Sequence, residues 1–192
     1  WYGHPNHKRA ETDSRQCVWN GPGHTKPLMV LPSSTGAITE FESDHFNGQI
    51  RGNLVYARYG LGILRVVLDP SGNTAPGITA PIPIGGTSSL GLTQAPNGIL
   101  IDARYQSHEC YYYEPQEPDS GGLVIKSVFP RRGVLAGGSK LHIYGVNFNG
   151  GSAAVTVGGM VCGGANVVNN KHIEFTLPMS TLATKVVSVT MG

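Results

Sequence analysis

The residues best suited to chemistry are scattered. His4 and His7 stand three apart in WYGHPNHKRAETDSRQC, with His24 further along. Neutral imidazoles at such spacing are ligands that zinc or copper accepts. No fourth ligand is placed by motif, however, and Pro5 forces a turn where a ligand-presenting helix would be needed. Asp69, Ser71 and Asn73 in DPSGN alternate like the start of a calcium loop. The Glu that would complete an EF-hand loop is absent, so a strand-ending turn is the better account. The Gly-rich strings LAGGSK and VGGMVCGG lack the Lys-Ser/Thr ending and following helix of a phosphate loop. No Gly-x-Ser-x-Gly nucleophile motif occurs. The sequence therefore assigns no catalytic residue, no cofactor-binding residue and no metal ligand.

Three cysteines, Cys17, Cys110 and Cys162, fit a secreted protein with one disulfide and one odd thiol, or equally three buried thiols. Cys17 with Cys110 is the favoured pair, because both lie in the N-terminal part. The stretch Pro70 to Ser89 (PSGNTAPGITAPIPIGGTSS) is rich in Pro, Thr and Ser. It reads as a long inter-strand loop, and its sharper reading is an exposed O-glycosylated segment carrying Thr74, Thr79, Thr87, Ser88 and Ser89. No Asn-x-Ser/Thr sequon occurs, so any glycan would be O-linked. Tyr111, Tyr112 and Tyr113 put rings on both faces of one strand, which suits core packing plus one exposed ring better than a carbohydrate platform.

Composition narrows the classes. The formal charge is +2 over 192 residues, and Arg131, Arg132, Lys140 and Lys171 are too sparse for a nucleic-acid footprint. No run approaches the roughly 20 apolar residues of a membrane span, and the chain opens at Trp1 without a signal peptide, which suggests a processed product or a piece of a longer chain. The 27 Gly and 13 Pro suit an all-β protein with many tight turns. Disorder is disfavoured, because the 40% hydrophobic residues fall in strand-length runs.

The elements that position these residues are β-strands. From Val124 onward run VIKSVFPRRGVLAGGSKLHIYGVNF, AVTVGGMVC, HIEFTLP and KVVSVTMG. Leu141 and Ile143, and Val155 and Val157, sit two apart, the period of strands with one buried face. Gly, Pro and Asn clusters separate the runs. This module resembles the IPT/TIG family, an immunoglobulin-like sandwich used more for structure and recognition than for catalysis. Members often carry a second cysteine where this chain has Phe175, so the resemblance leaves Cys162 without its usual partner.

Upstream, LVYARYGLGILRVVL (Leu54 to Leu68) is echoed by LIDARYQSHECYYYE (Leu100 to Glu114), with Ala-Arg-Tyr at 57–59 and again at 103–105. Propeller blades recur at about 40–50 residues, and each copy reads as the inner hairpin of a blade. STGAITEFESDHFNGQIRGNLVYARYGLGILRVVLDPSGN resembles the late blades of the glucose/sorbosone dehydrogenase family, six-bladed propellers of which some use pyrroloquinoline quinone. In quinone-binding members, basic residues of the blade equivalent to Leu54–Leu92 hold the cofactor's carboxylates. Here Gly60-Leu61-Gly62 and GGTSSLGL offer no Lys or Arg. Arg58 and Arg104, in matching places, suggest a repeated structural role.

The expectation is an all-β chain: partial propeller-like blades over 1–117 with an irregular arm at 1–27, a linker at 118–122 within the polar connector PQEPDSGG, and an IPT/TIG-like sandwich over 123–192. It is expected to be a secreted or cell-surface, non-enzymatic structural or adhesive protein without cofactors. Its partners would be copies of itself, as a homo-oligomer or filament, with O-linked glycans and with neither nucleic acid nor membrane insertion. Open blade edges motivate the assembly, since unpaired strands invite pairing. The alternative is a C-terminal fragment of a quinone-dependent sugar dehydrogenase-like oxidoreductase.

Overall fold

The computed structural model describes residues 28–29, 31, 34–71, 77–78, 86–116 and 121–192. Strands β1 (Thr35–Phe41), β2 (Asn53–Arg58), β3 (Gly62–Val67) and β4 (Gly77–Ile78) form an antiparallel meander in that order. A second meander follows, made of β5 (Ser89–Gln94), β6 (Leu100–Arg104) and β7 (Glu109–Tyr113). The two Ala-Arg-Tyr hairpins are thus β2–β3 and β6–β7, with Arg58 and Arg104 each closing the first strand of its hairpin. The stretch expected to be one long loop contributes β4, which pairs Gly77 and Ile78 with β3.

The sequence of β2 and β3 is apolar on both alternating sets of positions, so this hairpin is buried on both faces. Val55, Ala57 and Ile63 join Phe41, Ile50, Leu92 and Leu100 in a core shared with the second meander. Tyr56, Leu64 and Val66 turn the other way, onto Met29, Leu31, Leu54 and Leu68. Each such aliphatic side chain contributes about 1.5–3 kcal/mol when fully buried. The meanders approach closely enough at β1 that a Cβ on Gly36 would run into the Leu90 carbonyl.

The remaining strands are β8 (Val124–Phe129), β9 (Lys140–Val146), β10 (Ala153–Val157), β11 (Met160–Val161), β12 (Gly163–Asn169), β13 (His172–Thr176) and β14 (Val187–Met191). They make two sheets, ordered β12-β13-β9-β8 and β11-β10-β14. The period-two residues supply the core between them: Leu141 and Ile143, Ile173 and Phe175, and Val155 and Val157, with Phe148 and Cys162 filling the remainder. The string VGGMVCGG is a hairpin: Gly158 and Gly159 take φ of +59° and +81° between β10 and β11. Positive φ at both central residues is the turn a two-residue hairpin requires. The chain is all-β, and among the described residues no helix is long and apolar enough to cross a membrane.

A polar seam joins the C-terminal sandwich to the meanders. The backbone N–H of Asp44 donates to the Lys126 carbonyl at 2.8 Å, the buried Ser43 hydroxyl donates to the same oxygen at 3.1 Å, and Ser127 donates to the Pro96 carbonyl at 3.0 Å.

Candidate functional site

Among the described residues, one group of metal-ligating side chains lies on the outer face of β9 and β13. Because Leu141, Ile143, Ile173 and Phe175 point into the core, the period of two sends His142, Tyr144, His172 and Glu174 outward. Register sets His142 opposite Glu174 and Tyr144 opposite His172, giving a two-by-two grid. Across its diagonal, His142 Nδ1 lies 3.0 Å from His172 Nε2. The same His142 nitrogen lies 3.6 Å from Glu174 Oε1. At hydrogen-bond distance one ring nitrogen donates and the other accepts, so at least one imidazole is neutral. Burial, and secondarily the His142 charge, hold His172 below the usual histidine pKa. The Tyr144 ring stacks on His172 at 4.7 Å and 9°, fixing its plane. His142 and Glu174 keep 29% and 34% of their side-chain surface in solvent.

On the other side of His172 a cleft of about 210 Å³ opens along the seam, with His45, Asn97 and Glu114 on one wall and Lys126, Tyr144 and Lys171 on the other. Lys171 Nζ reaches Glu114 across it at 3.5 Å. His45 Nε2 donates to the Asn97 carbonyl at 3.2 Å. Its pKa is lowered first by burial and then by Lys126, against the raising effect of the Asn97 carbonyl and the Glu114 and Asp44 carboxylates. The cleft has charges of both signs and no paired carboxylates or base-activated hydroxyl.

A third feature is apolar. The loops 130–139 and 177–186 are joined by the Gly138 N–H to the Leu177 carbonyl and the Ser180 N–H to the Leu135 carbonyl, both 2.9 Å. They expose Val134, Leu135, Met179 (76%) and Leu182 (88%) at one end of the sandwich.

The residues singled out in the sequence mostly fall elsewhere. Arg104 serves the fold: its Nε donates to Asp102 at 3.2 Å, its Nη2 to the Tyr113 hydroxyl at 2.7 Å, and it lies over the Tyr111 ring at 3.8 Å. Tyr113 is partly buried against the meander core, while Tyr111 and Tyr112 are both exposed, one ring more than expected. Ser71 donates to the Asp69 carboxylate, as a strand-ending turn requires, and Asn73 lies outside the described residues. Arg131 donates to the Glu42 carbonyl and pairs with its carboxylate at 3.6 Å, so it is tied to the fold.

Cys110 is exposed on β7, and its expected partner Cys17 lies outside the described residues, as do His4, His7, His24, Thr74 and Thr79. Cys162 is buried, its thiol pKa raised by that burial, as befits a packed side chain. Of the hydroxyls expected to carry glycans, Thr87 is exposed. Ser88 and Ser89 are buried, and Ser89 is hydrogen-bonded to the Gly86 carbonyl and the Asp102 carboxylate at 2.8 Å each, so neither is offered to solvent. The sequence reading passed over His142, His172 and Glu174. Its available signal was the outward His within Leu-His-Ile-Tyr and the outward His and Glu within His-Ile-Glu-Phe.

Residues 123–192 match the IPT/TIG domain family, and this stretch is an IPT/TIG domain. No curated protein matches the chain. Two solved structures of the plexin A4 extracellular region, of domains 1 to 10 and of domains 1 to 8, share 13% identity with it at a TM-score of 0.34 each. These matches cover 90% and 92% of this chain, which spans 16% and 19% of theirs.

Proposed function

We propose that the chain is a non-catalytic, extracellular structural and adhesive protein that assembles with copies of itself. The observation carrying this reading is the apolar end of the IPT/TIG domain, where Met179 and Leu182 stand in solvent on a platform held by cross-loop hydrogen bonds. Contiguous exposed apolar side chains mark contact surfaces on soluble proteins. The second meander supplies a further edge: among the described residues β7 is its last strand and Tyr112 on it is exposed, and an open strand edge accepts another chain. A contact between two different surfaces does not close on itself and generates a filament.

The meanders are read as two propeller-type blades over 1–117, on the strength of the Ala-Arg-Tyr repeat and the consecutive antiparallel hairpins. The linker is 118–122, and an O-linked glycan at the exposed Thr87 would face solvent, with Thr74 and Thr79 as further candidates outside the described residues. Non-catalytic use is supported by Arg104, which is engaged with Asp102 and Tyr113 and not presented to a ligand. Electron microscopy of the intact protein across a concentration series tests the reading. Regular polymers are expected; uniform single particles at every concentration would overturn it.

A further inference from the structure

We propose that His142 Nδ1, His172 Nε2 and the Glu174 carboxylate form a mononuclear site for a borderline divalent cation of the zinc class, with the remaining coordination position open to water. The three donor atoms lie within 4.8 Å of one another on two adjacent strands. Two nitrogens each about 2.05 Å from a tetrahedral zinc stand about 3.3 Å apart, and a nitrogen and a carboxylate oxygen stand at a similar separation. The two separations from His142 Nδ1, 3.0 Å and 3.6 Å, bracket that value, and the third lies within 4.8 Å, so the side chains close around an ion for all three to bind it. Two imidazoles select zinc, copper or nickel over calcium or magnesium, which take oxygen ligands.

The scaffold is suited to the task. Ile143 and Ile173, directly paired and wholly buried, pin the register that sets His142 against Glu174. A slip of one residue would carry the ligands to the opposite face. Tyr144 locks the His172 ring plane by stacking, the kind of outer support that orients a ligand before the ion arrives. His142 and Glu174 are open enough for a hydrated ion to reach them. Two imidazole nitrogens and one carboxylate oxygen gathered within 4.8 Å on one sheet face are the donor set of a three-ligand zinc site, once the proton shared by the two histidines is lost to solvent.

The test is titration of the intact protein with Zn²⁺ by calorimetry and with Co²⁺ by visible absorption, together with histidine ring ¹⁵N shifts. One ion per chain is expected, with ring shifts at His142 and His172 and tetrahedral cobalt bands. His142→Ala and Glu174→Gln should each weaken binding by more than the roughly 10–100-fold that losing an outer-shell partner costs. A His4→Ala/His7→Ala/His24→Ala protein should keep its full affinity. The ring shifts in the unaltered protein decide the matter should a variant misfold. Absence of saturable binding, or binding that survives His142→Ala and disappears with the three N-terminal histidines, would overturn the proposal.

Discussion

The wholly buried Asp102 carboxylate is held by the Arg104 guanidinium two residues along the same strand, Nε to Oδ2 at 3.2 Å. Ser89 and Tyr113 donate to the same oxygen at 2.8 Å and 3.0 Å. Removing the cation strands a charge in the interior. Arg104→Met should therefore lower the unfolding free energy by about 3 kcal/mol, as breaking a buried pair does. Adding Asp102→Asn should restore at least about 1 kcal/mol, since directly contacting residues are coupled. Urea denaturation of both variants checks this. Equal losses in the single and double variants would show that Arg104 acts by packing alone.

The seam should weaken in mild acid. Burial first, and Lys126 next, depress the His45 pKa below its usual 6.5, against Asn97, Glu114 and Asp44. The unfolded chain therefore takes up a proton that the folded chain resists. Stability from this residue is fully present above pH 6.5, declines as pH falls through that value, and levels off below the lower folded pKa. His45→Gln should flatten that part of the stability curve. Thermal unfolding from pH 8 to pH 5 measures it, and parallel curves for the two proteins would remove His45 as the cause.

Contact between the meanders rests on the close approach of Gly36 to Leu90. Gly36→Ala places a methyl against a backbone carbonyl that cannot rotate away, and should cost about 1–3 kcal/mol, the usual penalty for overpacking. Val161→Ala, at an exposed site on β11, should stay within about 0.5 kcal/mol. Denaturant midpoints of the two variants give the comparison.

Burial of Ser88 and Ser89 beside an exposed Thr87 sorts the candidate modification sites. Among Thr87, Ser88 and Ser89, peptide mass spectrometry of native material should find any glycan on Thr87 alone. A glycan on Ser89 would require the Asp102 network to open.

Much of the fold was legible because strands β9, β10 and β13 follow the period of two. Leu141 and Ile143, and Val155 and Val157, mark inner faces, and Gly158-Gly159 marks a hairpin, from sequence alone. The β2–β3 hairpin was equally plain, since apolar residues on both faces leave no other burial pattern. β4 was hidden because two residues carry no periodicity. The His142–His172–Glu174 group was hidden for a different reason. Thirty residues separate its histidines, and only the β9–β13 register converts that distance into a 3.0 Å contact. The N-terminal histidines are close in sequence, which is a weaker criterion for a shared ligand than lying on one sheet face.

Self-association through the apolar end of the IPT/TIG domain is tested most directly by sedimentation velocity of the intact protein over a hundredfold concentration range, beside a Met179→Asp/Leu182→Asp variant. The unaltered protein should sediment faster as concentration rises, while the variant remains a monomer with unchanged circular dichroism. A single monomeric species at every concentration, or equal association in the variant, would contradict the account.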